Sequence, residues 1–242
     1  MNRDAPIFLY TDYGHNGPYV GLLHAVATEH AGPIFDLQHD APRFKPYEAG
    51  VLLQALVPSL PEGSIIVSVI DPTVGSKREG VAVSCDGNFF IGPDNGLLCS
   101  FIDRADKVYR LPPVDDDVPA SFHGRDWFMP MAMHWAKNPR PGWQRLFPAD
   151  VVRCDAVPSV RVIYIDGFGN VMTDMTTQRF KQGGQFVHNG NTIPQVRTFN
   201  DVPAGEFLSY RNSLGLIEIA INQGNAAQTM DVSIGDVLTL AE

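Results

Sequence analysis

Five short stretches carry residue types able to do chemistry. Thr11-Asp12-Tyr13-Gly14 sets a carboxylate at the end of the apolar run 7–10, just before a glycine turn. An Asp so placed accepts two hydrogen bonds from a ribose diol, or caps the helix that follows. Asp71-Pro72-Thr73-Val74-Gly75-Ser76-Lys77-Arg78 follows the apolar, β-branched run 65–70, and Arg78 is near enough in the loop to pair with Asp71. That pair reads equally as a loop brace or as part of a site. Gly92-Pro93-Asp94-Asn95-Gly96 is a dense turn cluster that would cap a helix starting near Leu97. Ser121-Phe122-His123-Gly124-Arg125-Asp126 puts a histidine before a helix. There it positions or deprotonates water, or serves as an ordinary cap, and Gly124 lets a ligand approach the backbone. Asp166-Gly167-Phe168-Gly169-Asn170 offers an aromatic face with polar handles on either side, or a β-hairpin turn.

The elements that must hold these stretches follow from periodicity. Apolar runs over 7–10, 34–37 and 65–70 read as buried strands, and helical spacing marks 19–30, 47–56 and 124–136. Asp86-Gly87 between two strand patterns signals a hairpin. Strands alternating with helices predict an α/β N-terminal domain, a mixed and mostly parallel sheet with flanking helices, over 1–157. Asp12 and Asp71 then sit at carboxyl ends of strands, where ligands bind in such sheets. Beyond the boundary near Pro158 the pattern becomes short strands separated by Gly/Asn turns. This predicts a small all-β, barrel-like C-terminal domain over 158–242.

Composition narrows the class. Hydrophobic residues make up 44% and charged residues 19% of 242, a globular balance. A formal net charge of −9 argues against a nucleic-acid partner, which calls for concentrated Lys and Arg, but is compatible with a small cationic ligand. No apolar run of membrane-spanning length and no signal-peptide pattern occurs, so no membrane association and a cytoplasmic location are expected. Cys85, Cys99 and Cys154 are odd in number, far apart and without C-x-x-C spacing; they are expected to be free thiols in a reducing compartment.

Taken in order, these stretches resemble the S-adenosyl-L-methionine (SAM) hydroxide adenosyltransferases, relatives of the SAM-dependent fluorinase and chlorinase. The resemblance is carried by Thr11 to Gly14, His39 to Gly50, Asp71 to Arg78, Gly92 to Leu98, Phe122 to Asp126, Asp166 to Asn170 and Glu218 to Ala227, across nearly the whole chain. It implies hydrolysis of SAM to adenosine and L-methionine without a metal or other cofactor, in a homotrimer with sites between subunits. It implies Asp71, Arg78 and His123 as the catalytic triad and Asp12 as the holder of the ribose hydroxyls. Phe44, where the halogenases carry Trp, becomes a wall beside the ribose, and Gly124 a close approach to substrate. Asp166, Phe168 and Asn170 engage substrate from the neighbouring subunit, with Phe168 stacking on adenine. Ser213 and Asn222 serve the amino-acid and adenine ends. Thr73 departs from the family's usual glycine, and Gly17 and Tyr19 replace polar residues of the halogenases. Three rival functions remain at this point: a SAM-dependent halogenase, a SAM- or adenosine-binding module without turnover, and a metal-dependent phosphohydrolase built on Asp12, His15, His39, Asp40 and His123.

Overall fold

A computed structural model describes residues 4–115, 117–139, 142–154, 159–180 and 185–240. The chain divides into two compact units, Met1–Gly50 with Ser59–Cys154, and Val51–Pro58 with Asp155–Glu242. The boundary expected near Pro158 lies outside the described residues.

In the first unit, strands β1 (Ile7–Thr11), β2 (Ile34–Gln38), β3 (Ile65–Val69), β4 (Gly80–Cys85), β5 (Asn88–Pro93), β6 (Lys107–Arg110) and β7 (Gln144–Leu146) form one sheet. Its order is β2-β1-β3-β5-β4-β6-β7. β2, β1, β3 and β5 run parallel; the pairings from β5 through β4 and β6 to β7 are antiparallel. Every residue of β1 and β3 is buried, as befits inner parallel strands covered on both faces. Helices α1 (Tyr19–Val26), α3 (Cys99–Ile102) and α4 (Met129–Lys137) complete the set, while α2 (Pro46–Leu56) begins in this unit and its residues from Val51 on belong to the second. Leu23 of α1 and Met129, Ala132 and Trp135 of α4 pack with Ile7, Leu9, Ile65, Val67 and Phe89 of the sheet. The rings of Phe89 and Trp135 stack 3.5 Å apart. At the β4–β5 hairpin Asp86 and Gly87 take φ of +50° and +76°, the left-handed pair that a two-residue turn requires.

The helix expected over 124–136 arrives in two pieces. Gly124–Phe128 is a π-helical turn, with the Met129 N–H reaching back to the Gly124 carbonyl, and α4 follows it. Pro130 explains the break: it has no N–H to continue the ordinary ladder, so the chain widens by one residue before the regular helix begins.

In the second unit, β8 (Val160–Ile165), β9 (Val171–Thr176), β12 (Phe207–Arg211), β13 (Leu216–Ile221) and β14 (Val237–Leu238) form an antiparallel sheet. Its order is β12-β13-β9-β8-β14. β10 (Phe186–His188) and β11 (Asn191–Ile193) form a hairpin; Phe186 bridges to Leu240, just past β14, and Gln195, just past β11, bridges to Ser209 of β12. These bridges bring the strands into a barrel-like ring around Val162, Val171, Phe186, Ile217 and Ile219, with helix α5 (Ala226–Met230) packed on it.

Two of the thiols expected to be free are bonded to each other: Cys99 and Cys154 form a disulfide, their Cα atoms 5.9 Å apart, and only Cys85 remains a free, buried thiol. A separation of 55 residues hides that adjacency from spacing rules. Among the described residues no helix is long and apolar enough to cross a membrane.

Candidate active site

β1 and β3 lie side by side in parallel, with Thr11 opposite Val69, so the loops that leave them carry Asp12 and Asp71 to the same sheet edge. Asp12 does not cap a helix. Its Oδ2 accepts the backbone N–H of Phe44 at 3.2 Å, and Phe44 is held at φ +59° with its ring largely exposed. Burial raises the Asp12 carboxyl above its ordinary value, against the opposing pull of that N–H and of Arg43. Behind it, the fully buried His39 is hydrogen-bonded through Nδ1 to Thr11 Oγ1 at 2.8 Å, and the His39 carbonyl accepts the Gly14 N–H. The 11–14 and 39–44 loops therefore brace each other.

Asp71, Arg78 and His123 come together. Arg78 Nε donates to Asp71 Oδ1 and Oδ2 at 3.1 and 3.0 Å, and its Nη2 contacts Oδ2. The same Nη2 donates to His123 Nδ1 at 2.8 Å. Only 7% of the Arg78 side chain and 4% of the Asp71 side chain remain accessible, so the pair is desolvated and depends on its mutual bonds. Trp127 and Phe128 lie 5.2 and 5.0 Å beneath the guanidinium, a shelf made by the π-helical turn. Thr73, the departure from the usual glycine, donates its hydroxyl to Asp71 Oδ1 at 3.2 Å. Arg78 is permanently charged and only donates, so Nδ1 of His123 must be an unprotonated acceptor and the ring proton of the neutral form sits on Nε2. Burial and then the Arg78 charge lower the His123 pKa below its ordinary value.

A cavity of about 490 Å³ is lined by Asp12, Phe44, Asp71, His123 and Gly124, joined by Tyr13, Tyr19, Arg43 and Phe122. Residue pattern alone assigns no role to these last four, although Tyr13 and Phe122 stand inside two of the motifs. Asn95, read as turn chemistry, also bears on the site. Its Nδ2 donates to the Ile70 carbonyl at 2.9 Å, one residue before Asp71, while its Oδ1 accepts the Leu97 N–H.

The second unit has its own cleft of about 790 Å³. Asp166, Phe168, Asn170 and Ser213 line it, with Phe199, Tyr210, Asn212 and Glu218. Asp166 is occupied with its own turn: Oδ1 accepts the N–H groups of Phe168 and Asn170, each at 2.9 Å, and Oδ2 accepts the Asn170 amide. Gly169, at φ +86°, lies so close to the Asn225 side chain that a Cβ would meet it at 2.1 Å. The turn is thus fixed while the Phe168 ring stands 80% exposed, an open aromatic platform. Glu218 is buried and bonded to the Tyr210 hydroxyl and the Asn212 amide, and burial raises its pKa. Asn222 does not line the cleft: its amide donates to the Val202 carbonyl at 2.8 Å as a brace, and Gln223 and Gly224 reach the cleft instead.

Among the described residues no group of three or more His, Cys, Asp or Glu side chains is placed to hold a metal ion. Of the donors considered for one, His39 is bonded through Nδ1 to Thr11 and His123 through Nδ1 to Arg78.

Residues 7–142 match the model of the SAM hydroxide adenosyltransferase N-terminal domain, and residues 160–239 that of the C-terminal domain. The chain is 34% identical to a protein of Thermus thermophilus named (R)-S-adenosyl-L-methionine hydrolase, over 95% of this chain and 97% of that one. A protein of the same name from Salinispora arenicola is 30% identical, with 94% of each chain covered. The fold superposes on a crystal structure of an uncharacterized conserved protein from Thermotoga maritima with a TM-score of 0.85 at 24% identity, covering 98% and 100% of the two chains. A conserved hypothetical protein from Thermus thermophilus gives 0.81 at 31% identity, with 98% and 100% covered. With both of its units matched in order and the Asp71–Arg78–His123 constellation assembled, the chain belongs to the SAM hydroxide adenosyltransferase family.

Proposed function

We propose that this protein hydrolyses SAM to adenosine and L-methionine by in-line attack of water on the ribose 5′ carbon. The observation that carries this reading is the desolvated Asp71–Arg78–His123 cluster opening on the same cavity as Asp12. Asp12 holds the ribose hydroxyls, Phe44 walls the ribose, and Phe168 stacks on adenine with Asp166, Asn170 and Ser213 around it. As the family resemblance implies, the working particle is a homotrimer with its sites between subunits, and the protein acts without a resident cofactor.

The reaction suits these groups. As the C5′–O bond forms, the C5′–S bond breaks and the sulfonium takes the electron pair to become a neutral thioether, so the leaving group needs no acid. Alignment of water opposite sulfur contributes about 7–11 kcal/mol. Water, with a pKa near ~15.7, is not ionised beforehand. It gives its proton up as the new bond forms, an assistance worth about 10²–10⁴-fold. Asp71 is the acceptor: Arg78 already occupies Nδ1 of His123, leaving that ring as an N–H donor through Nε2. The Asp71 carboxylate accepts hydrogen bonds and offers none to a halide at the attack position, which favours water over chloride as nucleophile.

Incubation with SAM in chloride-containing and chloride-free buffer, followed by chromatography with mass detection, tests the reading. Adenosine and methionine are expected in both buffers, in proportion to enzyme and time. A 5′-chloro nucleoside would make the protein a halogenase, and bound SAM without product would make it a binding module. Loss of activity in excess chelator would revive the metal-dependent alternative.

A further inference from the structure

Tyr13 follows Asp12 directly and lines the same cavity as Asp12, Asp71, His123 and Gly124. Its ring is fixed by Phe122, 5.6 Å away edge-on, and by Tyr19 at 5.8 Å. Its hydroxyl lies against the α carbon of Gly124, so close that a Cβ there would stand 2.2 Å from the phenol oxygen. Glycine at 124 is what makes room for the hydroxyl, immediately beside His123. No hydrogen bond joins that hydroxyl to any described residue, whereas the other polar groups around it each have a protein partner: Arg78 for Asp71 and for His123 Nδ1, and the Phe44 N–H for Asp12. The hydroxyl is thus free to bond what the cavity holds.

We propose that the Tyr13 hydroxyl donates a hydrogen bond to the attacking water and is thus a fourth catalytic residue, resting on the hydrolase reading above. A water so held has one proton directed to Asp71 and one lone pair bound to Tyr13, which leaves the second lone pair for C5′. The water proton passes to Asp71 and then to solvent; the Tyr13 proton stays where it is throughout. Burial, together with the neighbouring Asp12 and Asp71 charges, pushes the phenol far above its usual pKa, so it acts only as a donor at working pH.

The test is a double-mutant cycle of Tyr13→Phe and Gly124→Ala, reading kcat and KM for SAM and the thermal midpoint. Tyr13→Phe keeps the ring contacts and removes only the hydroxyl. It is expected to lower kcat on the order of tenfold, what one ordinary hydrogen bond contributes, with KM and midpoint unchanged. Gly124→Ala, by displacing the hydroxyl, lowers kcat similarly. The double variant falls no further, because the hydroxyl that Gly124→Ala displaces is already gone; the ring gives by a few tenths of an ångström, its Cζ standing 3.3 Å from the new Cβ. A Tyr13→Phe kcat within twofold of wild type, or losses that simply multiply, overturns the Tyr13 role while wild-type release of adenosine keeps the hydrolase reading. No adenosine from the wild type overturns that reading and this proposal with it.

Discussion

Arg78 sets the electrostatics of the site, because one guanidinium neutralises Asp71 and at the same time fixes the tautomer of His123. Neither partner can change without the other feeling it. Asp71→Asn or His123→Ala is therefore expected to lower kcat by about 10²–10⁴-fold. SAM affinity, read by calorimetry, should stay within a few-fold, since binding rests on other side chains; near-wild-type turnover in both variants would refute the triad. His123 also gives a pH signature. Its folded pKa is lowered, so the unfolded chain takes up the proton first as pH falls through about 6.5. The stability it contributes is whole above that value and is lost as pH drops towards the folded pKa. NMR of the imidazole should show a midpoint below about 6.5, moving upward in Arg78→Gln, where the repelling cation is gone and Asp71 remains. A midpoint that stays in place would mean that Arg78 does not govern the ring.

At the scale of elements, the sheet delivers the carboxylates and the loops aim them. Asp12 and Asp71 were legible from sequence because each closes an apolar run that had to be an inner strand, and adjacent parallel strands end at one edge. Arg78 was legible as a partner for Asp71, since a buried carboxylate needs one. The π-helical turn was not, because helical spacing reports a face and says little about a one-residue widening at Pro130. Asn95 was hidden for a related reason: a turn-rich stretch announces its backbone and conceals the side-chain bond it makes to Ile70, distant in sequence. Asn222 shows the converse, a motif position whose amide is a brace to Val202. Asn95→Ala removes the donor to the Ile70 carbonyl and the acceptor for the Leu97 N–H. A loss of about 1–3 kcal/mol in unfolding free energy by denaturant titration is expected, with a fall in kcat as Asp71 loosens. Wild-type stability and kcat together would show that the loop holds itself without this side chain.

Across the whole molecule, the division into an α/β unit and a barrel-like unit was readable from the change of texture along the chain, whereas the cysteine pairing was not. Three cysteines in 242 residues leave spacing with nothing to say about which two meet. Thiol titration of the denatured, unreduced protein should find one free thiol, Cys85, and three after reduction. Three before reduction would show Cys99 and Cys154 unbonded. Light scattering at working concentration should give the mass of three chains, and a monomer would break the shared-site arrangement. The most direct test of the reaction itself is a single turnover in H₂¹⁸O. Attack of water at the 5′ carbon predicts one ¹⁸O in the 5′-hydroxyl of adenosine and none in methionine; unlabelled adenosine, or label in the amino-acid product, would contradict it.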